Sequence, residues 1–190
     1  MVSVGRDTGV VRRHAGAWLQ TYTGRQFWPL EPDAGDVVIE DIAHALSMLC
    51  RFSGHCSRFY SVAEHSVLVA SRTGVHGLLH DAAEAYLLDI VSPLKHLMPW
   101  YEEAEKNLLR VIYKGLDVRE PKPHEVQDVK DADHRTLMTE RAVLFDKLIP
   151  WEVDEPPYTN MSIRCLIPSD AEQLFIDTWE ELRARLSKDT

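Results

Sequence analysis

Residues 75–95 read VHGLLHDAAEAYLLDIVSPLK, and the fold turns on how this stretch is read. Leu78, Leu79, Ala82, Ala83, Ala85, Tyr86, Leu87 and Leu88 make most of it apolar all round, which marks a helix inside a core rather than on a surface. Into that segment the chain sets His80, Asp81, Glu84 and Asp89. An ionised carboxylate buried without a partner costs several kcal/mol, so carboxylates gathered in one apolar segment need a cation among them. A divalent metal gripped by a histidine and carboxylates supplies it. On a helix His80 and Glu84 share one face, and Asp81 is turned about 100° from His80. The adjacent His80-Asp81 pair can then hold an ion between its two directions.

Working outward, the preceding segment GHCSRFYSVAEHSVLVASRTG has capping-box spacing at Ser61 and Glu64. This predicts a helix from Ser61 to about Arg72, with His65 on its buried side beside Val62 and Val69. An earlier helix starts near Glu40, buries Ile42, Ala45, Leu46 and Leu49, and stops near Ser53-Gly54. Downstream, Ser92-Pro93 breaks the chain. A helix from about Trp100 to Lys114 follows, then a proline-bearing linker and a long helix from about His124 to Leu148. Residues 150–168 read as a wrapped loop with room for a strand at Met161–Leu166. A last helix, with a capping box at Ser169 and Glu172, runs to about Leu186. Residues 17–32 form an ordered loop or short hairpin anchored by Trp18, Phe27 and Trp28, behind a loose basic tail at 1–15. The whole is one domain over 1–190: an all-α bundle of five or six main helices, with residues 1–36 as an N-terminal loop extension packed on it.

Within the long helix, periodicity separates two carboxylates. Val126, Val129, Asp133, Leu137, Leu144 and Leu148 recur at spacings of three and four or their multiples, which puts Asp133 on the apolar stripe. Asp131 groups with Gln127, His134 and Arg135 on the polar side. Glu140 shares the Asp133 stripe and is placed to pair with a buried arginine. The metal candidates are therefore His65, His80, Asp81 and Asp133. Two neutral imidazoles and two carboxylates, with positions left for water, suit a catalytic Mn, Co, Zn, Fe or Mg ion.

Composition narrows the classes. The 190 residues are 45% hydrophobic and 27% charged, ordinary values for a folded domain. A net charge of −9 argues against a nucleic-acid binder, although a metal can still create a site for a small anion. The three cysteines, Cys50, Cys56 and Cys165, match no common zinc spacing and read as reduced thiols in the cytosol. Neither a signal peptide nor a membrane span is expected, so the expected location is cytoplasmic.

At this point the residues carry a resemblance. His65, His80-Asp81 and Asp133 resemble the H…HD…D signature of the HD-domain metal-dependent phosphohydrolases. Arg51-Phe52 before SVAEHS is similar to the Arg-Trp…SEHS element of the bacterial 5′-deoxynucleotidases. HDAAE with LDIVSPLK is similar to their HDxSE…GDxxTPxK, and VKDAD to their VKAAD. The match covers about residues 40 to 145, and the small fold is shared with the phage dATP triphosphohydrolases. The departures are Phe52 for the tryptophan, Leu88 for the glycine before Asp89, and the added N-terminal segment.

The resemblance implies a compact HD-domain bundle that removes phosphate from nucleotides, as a 5′-(deoxy)nucleotidase on nucleoside monophosphates. A dNTP triphosphohydrolase releasing triphosphate is the alternative of the same class. A metal-bound nucleotide sensor without turnover is the alternative of another class. The implied roles are metal binding for His65, His80, Asp81 and Asp133, and action on water for Glu84. Asp89 would serve the sugar or the surroundings of the phosphate. Arg51 and Lys95 would meet phosphate, Phe52 would stack on base or sugar, and Ser92 would donate a hydroxyl. Base selection is expected from the 53–60 loop or from Gln20, Thr21, Tyr22, Arg25 and Gln26. The expected partners are a (deoxy)nucleotide substrate and further copies of the chain in a homo-oligomer, with no nucleic acid or membrane.

Overall fold

The computed structural model describes residues 16–151 and 155–186, so the expected basic tail at 1–15 lies outside them. Its helices are α1 (Ile39–Met48), α2 (Val62–Thr73), α3 (Val75–Leu79), α4 (Glu84–Leu87), α5 (Ser92–Lys95), α6 (Pro99–Gly115), α7 (Pro123–Leu144) and α8 (Pro168–Leu186). Five of these, α1, α2, α6, α7 and α8, have 10, 12, 17, 22 and 19 residues and make an all-α bundle. A small antiparallel hairpin, β1 (Leu19–Gln20) and β2 (Gln26–Phe27), precedes them, with Leu19 opposite Phe27.

The central element is α2, which packs against α1, α3, α7 and α8. Around it Ile42, Leu46, Val62, Leu78, Leu79, Leu108, Ile112 and Phe175 are fully buried in one core. Each such side chain contributes about 1.5–3 kcal/mol by leaving water. A β-carbon at Gly77 would run into the Thr73 hydroxyl, so glycine is what lets α3 lie this close to the end of α2.

The 75–88 segment is not one helix. Between α3 and α4 the amides of Ala82, Glu84, Ala85 and Tyr86 donate to the carbonyls three residues back, at 2.9–3.3 Å. That is a 3₁₀ turn, with three residues per turn instead of 3.6. The tighter winding stacks Asp81 under Glu84, where a straight helix would have paired Glu84 with His80.

Other boundaries shift for similar local reasons. The Ser61 hydroxyl accepts from the Glu64 amide at 3.1 Å, as expected of a cap. The Glu64 carboxylate, however, accepts from the amides of Arg164 and Leu166 at 2.7 Å and of Cys165 at 3.2 Å. Those amides are therefore satisfied by a side chain rather than a ladder, and Met161–Leu166 forms no strand. Ser169 lies inside α8 and does not cap it, while Glu172 pairs with His44 at 3.0 Å. α7 ends at Leu144 rather than Leu148, which is exposed. α1 ends at Met48, so Arg51-Phe52 stands on a separate tight turn, Arg51–Gly54, with Phe52 and Ser53 left-handed, rather than at a helix end.

The N-terminal segment is pinned to the bundle's side. Asp41, almost fully buried, accepts from the Thr23 amide at 2.7 Å and from the Thr23 hydroxyl at 2.9 Å. Phe27 is fully buried and stacks on Tyr86 with ring centroids 3.9 Å apart. Trp18, expected to anchor, is half-exposed. Among the described residues no helix is long and apolar enough to cross a membrane.

Leu88 holds a conformation, φ 74° and ψ 157°, that glycine tolerates and a leucine does not. The Tyr101 hydroxyl lies 2.8 and 2.7 Å from the carbonyls of Leu87 and Leu88 and fixes the turn. Such backbone strain costs about 1–3 kcal/mol, and the side chain is 62% exposed, so little burial offsets it. Leu88→Gly is expected to raise stability by about 1 kcal/mol after glycine's extra chain freedom is subtracted. Urea unfolding checks this, and a lowered midpoint would contradict it.

Candidate metal centre

α2 carries His65 into the core with no exposed surface. Its Nδ1 donates to Glu140 Oε1 of α7 at 2.6 Å, which aims Nε2 at the start of the 3₁₀ turn. There His80 donates from Nδ1 to the Gly77 carbonyl at 2.8 Å, and this aims its own Nε2 back at His65. The two Nε2 atoms are 3.3 Å apart. Asp133 Oδ1 lies 3.1 Å from His65 Nε2 and 3.9 Å from His80 Nε2. Asp81 Oδ2 lies 3.2 Å from His80 Nε2 and 3.6 Å from His65 Nε2. Periodicity had singled out Asp133, and it is Asp133 that enters the cluster. Asp131 stays exposed and accepts from Gln127 at 2.7 Å.

The hydrogen bonds decide what this cluster needs. Each Nδ1 must be the protonated nitrogen, because its partner is a carboxylate or a carbonyl that only accepts. In the neutral tautomers both Nε2 lone pairs then face each other and two carboxylates, with no donor among them. A cation is required. A second proton on His65 is one answer: burial and Arg51 push its imidazole down, but Glu140 and Asp133 outweigh them and raise it to about 9. A metal ion is the other. Donors about 2.1 Å from a common ion at tetrahedral or octahedral angles are roughly 3.0–3.4 Å apart, which is the spacing of the closest pairs here. His65, His80 and Asp133 could hold a metal ion. Asp81, expected as a fourth ligand, lies outside that close group, although its Oδ2 is 3.2 Å from His80 Nε2. Burial would raise the Asp133 carboxyl, but His65 beside it holds it well below the usual range.

Behind the ligands Glu140 is fully buried. It accepts from Tyr60 Oη at 2.8 Å, from His65 Nδ1 at 2.6 Å and from Arg51 Nε at 3.2 Å. Burial alone would raise its carboxyl, but Arg51 and His65 hold it down to about 2. Arg51 also reaches Asp81, with Nη1 at 3.6 Å from Oδ2. One carboxylate therefore positions both a histidine that could bind a metal and the arginine beside it.

Asp81 and Asp133 open onto a cavity of about 560 Å³. Arg51, Phe52, Glu84, Asp89, Ser92 and Lys95 all line it, so the expected catalytic, phosphate and stacking residues meet here. Glu84 is nearly buried; its Oε1 is 3.7 Å from Lys95 Nζ and its Oε2 has no hydrogen-bond partner among the described residues. Burial, then Asp81 and Asp89, push its carboxyl well above the usual range. Asp89 is likewise raised, chiefly by burial. A carboxylate poised nearer neutrality is suited to accept a proton.

Lys95 bonds Glu105 at 2.8 Å, a partner the sequence pattern does not pick out. Phe145 and Trp151 also line the cavity and were not foreseen, whereas Leu137 lies one turn from Asp133 on its stripe and His55 comes from the expected 53–60 loop. Phe52 meets Phe145 edge-on at 5.1 Å. None of the described residues 16–36 lines this cavity. Gln20, Thr21 and Tyr22 border a separate hollow of about 240 Å³ against Asp41, His44 and Tyr86. The expectation that they read a base at this site is therefore withdrawn, and of the two expected sources only the 53–60 loop reaches it, through His55.

No protein-family model matches the chain. The uncharacterized protein YfdR of Escherichia coli is 38% identical over 173 residues, covering 87% of this chain and 96% of that protein. An uncharacterized protein of Rhodobacter capsulatus is 35% identical over 133 residues, covering 62% of this chain and 67% of that protein. At that identity over nearly the whole of the first relative, the chain belongs to the family of the Escherichia coli protein YfdR.

Proposed function

We propose that this chain is a metal-dependent phosphohydrolase of the HD-domain type, acting on deoxynucleoside 5′-monophosphates. One observation carries the reading: four acceptor atoms from His65, His80, Asp81 and Asp133 converge with no donor among them, beside a cavity that Glu84 lines and Asp81 and Asp133 share. The cavity lining combines charged groups with apolar surface, as a nucleotide requires. Arg51, Lys95 and the carboxylates supply the charge, while Phe52, Ile90, Val91, Leu137, Phe145 and Trp151 supply apolar surface. Its volume is that of a small-molecule site.

A bound ion would polarise a phosphoryl oxygen and make water a nucleophile near neutral pH. The chain's own groups do the rest. The Glu84 carboxylate takes the proton from the attacking water. Arg51, fixed by Glu140, offers its planar fork to phosphate oxygens, and Lys95 adds a point charge. Asp89 accepts from a sugar hydroxyl, Ser92 donates, and Phe52 stacks on the base.

Monophosphate is favoured over triphosphate by the charge count. Arg51 and Lys95 are the Arg and Lys residues lining the cavity among those described, and Lys95 is already shared by Glu105 and Glu84. Arg72, Arg110, Lys114 and Lys130 are exposed and do not line it.

The test is a screen of NMPs, dNMPs and dNTPs with Mn, Co, Zn and Mg, reading phosphate against triphosphate. Phosphate from dNMPs is expected. Triphosphate from dNTPs would replace this reading with the triphosphohydrolase. Nucleotide binding without turnover under any metal would replace it with a sensor.

A further inference from the structure

We propose that Cys50 and Cys56 are a modification site: a thiol pair that a hydroperoxide closes into a reversible disulfide, clamping the loop that carries Arg51, Phe52 and His55. Their Sγ atoms are 3.7 Å apart, and both residues are half-buried, within reach of a small oxidant. The approach is built into the backbone. Cys50 pairs with Ser61 in an isolated antiparallel bridge, and the Arg51 amide donates to the Tyr60 carbonyl at 2.9 Å. On the other side the Ser57 amide donates to the Leu144 carbonyl at 2.8 Å. Between these anchors Phe52, Ser53 and Gly54 take φ of 56°, 48° and 76°, a left-handed run that folds the loop back and sets the thiols face to face. A disulfide needs sulfurs about 2.0 Å apart, a closure within the reach of side-chain rotation and a small shift of the loop.

Burial and the hydrogen bond with Cys50 push the Cys56 thiol up, which favours its protonated form at rest. In the oxidation, one thiolate attacks a peroxide oxygen and breaks the O–O bond, leaving a sulfenic acid and hydroxide, which takes up the thiol's proton. The second sulfur attacks the sulfenic sulfur, forming the S–S bond and releasing water. Two thiols and one hydrogen peroxide give one disulfide and two waters. The sulfurs lose two electrons and the peroxide gains them. Closure draws in the backbone next to Arg51, which moves the guanidinium from its place between Glu140 and Asp81.

The bond is tested directly on the full chain. Trypsin cuts after Arg51, so Cys50 and Cys56 fall on separate peptides that only a disulfide can join. After hydrogen peroxide and alkylation the linked peptide is expected in the wild type and in Cys165→Ser. It should be absent from Cys50→Ser and Cys56→Ser, and dithiothreitol should remove it. A link through Cys165, or sulfinic acid without a link, overturns the proposal. The clamp is read by kinetics: KM for a nucleoside monophosphate should rise about tenfold on oxidation and recover with dithiothreitol. This part rests on the phosphohydrolase reading, whereas the peptide map does not. A mapped bond with unchanged KM would overturn the clamp. In a chain without turnover the tenfold weakening is sought in deoxynucleoside monophosphate binding by calorimetry, and equal affinity in both redox states overturns it.

Discussion

Glu84→Gln is expected to lower turnover about 100-fold or more while leaving metal affinity and melting temperature close to wild type. Glutamine keeps the size of the side chain and the contact near Lys95. It removes the one property the proposed chemistry uses, an oxygen able to take a proton. The native carboxylate is 5% exposed and Oε2 has no partner among the described residues, so the fold does not depend on its charge. Burial and two neighbouring carboxylates already disfavour that charge, and its loss costs little stability. Steady-state kinetics with calorimetric metal titration separates the outcomes. Full activity in the variant would move the proton acceptor elsewhere. Lost metal would make Glu84 a ligand instead.

The largest expected effect on stability is at Glu140. Glu140→Leu leaves Arg51, His65 Nδ1 and the Tyr60 hydroxyl without the carboxylate that all three use. Removing one partner from a buried ionic cluster costs about 3–5 kcal/mol. Glu140→Gln, which keeps an acceptor oxygen, should cost about 1–3 kcal/mol. Both variants should also weaken metal binding about 10–100-fold, because Glu140 holds the His65 tautomer that points Nε2 at the cluster. Chemical denaturation and metal titration read the two effects separately. If Glu140→Leu unfolds outright, Glu140→Gln still decides. Unchanged metal affinity in the glutamine variant would show that packing alone orients His65.

What the sequence displays well here is periodicity carried by long elements. The stripe on α7 distinguished Asp133 from Asp131 because a 22-residue helix repeats its pattern often enough to be read. The burial of His65 followed from the same logic on α2. The short elements were harder. Nothing in HDAAEAY marks a 3₁₀ turn, since Leu79, Ala82, Ala83, Glu84 and Ala85 are good helix formers and tertiary packing sets the winding. The same turn moved Glu84 from the His80 face to the Asp81 face.

Side-chain reach was illegible for another reason. Glu64 has the spacing of a capping box, yet it spends its carboxylate on amides a hundred residues away in sequence. Phe145 and Trp151 join the cavity because the chain after α7 turns back, and no local pattern encodes that return. Leu88 could have been suspected, since it replaces the glycine of the resembled pattern at a place where the backbone takes a glycine conformation.

The most direct test of the account is anomalous diffraction from crystals of the chain grown with Mn²⁺. A single strong peak is predicted inside the ring formed by His65 Nε2, His80 Nε2, Asp81 Oδ2 and Asp133 Oδ1. It should persist in Asp131→Asn and vanish in Asp133→Asn. A peak on the exposed face at Asp131, or a wild-type cluster that stays without metal at millimolar Mn²⁺, would contradict the account.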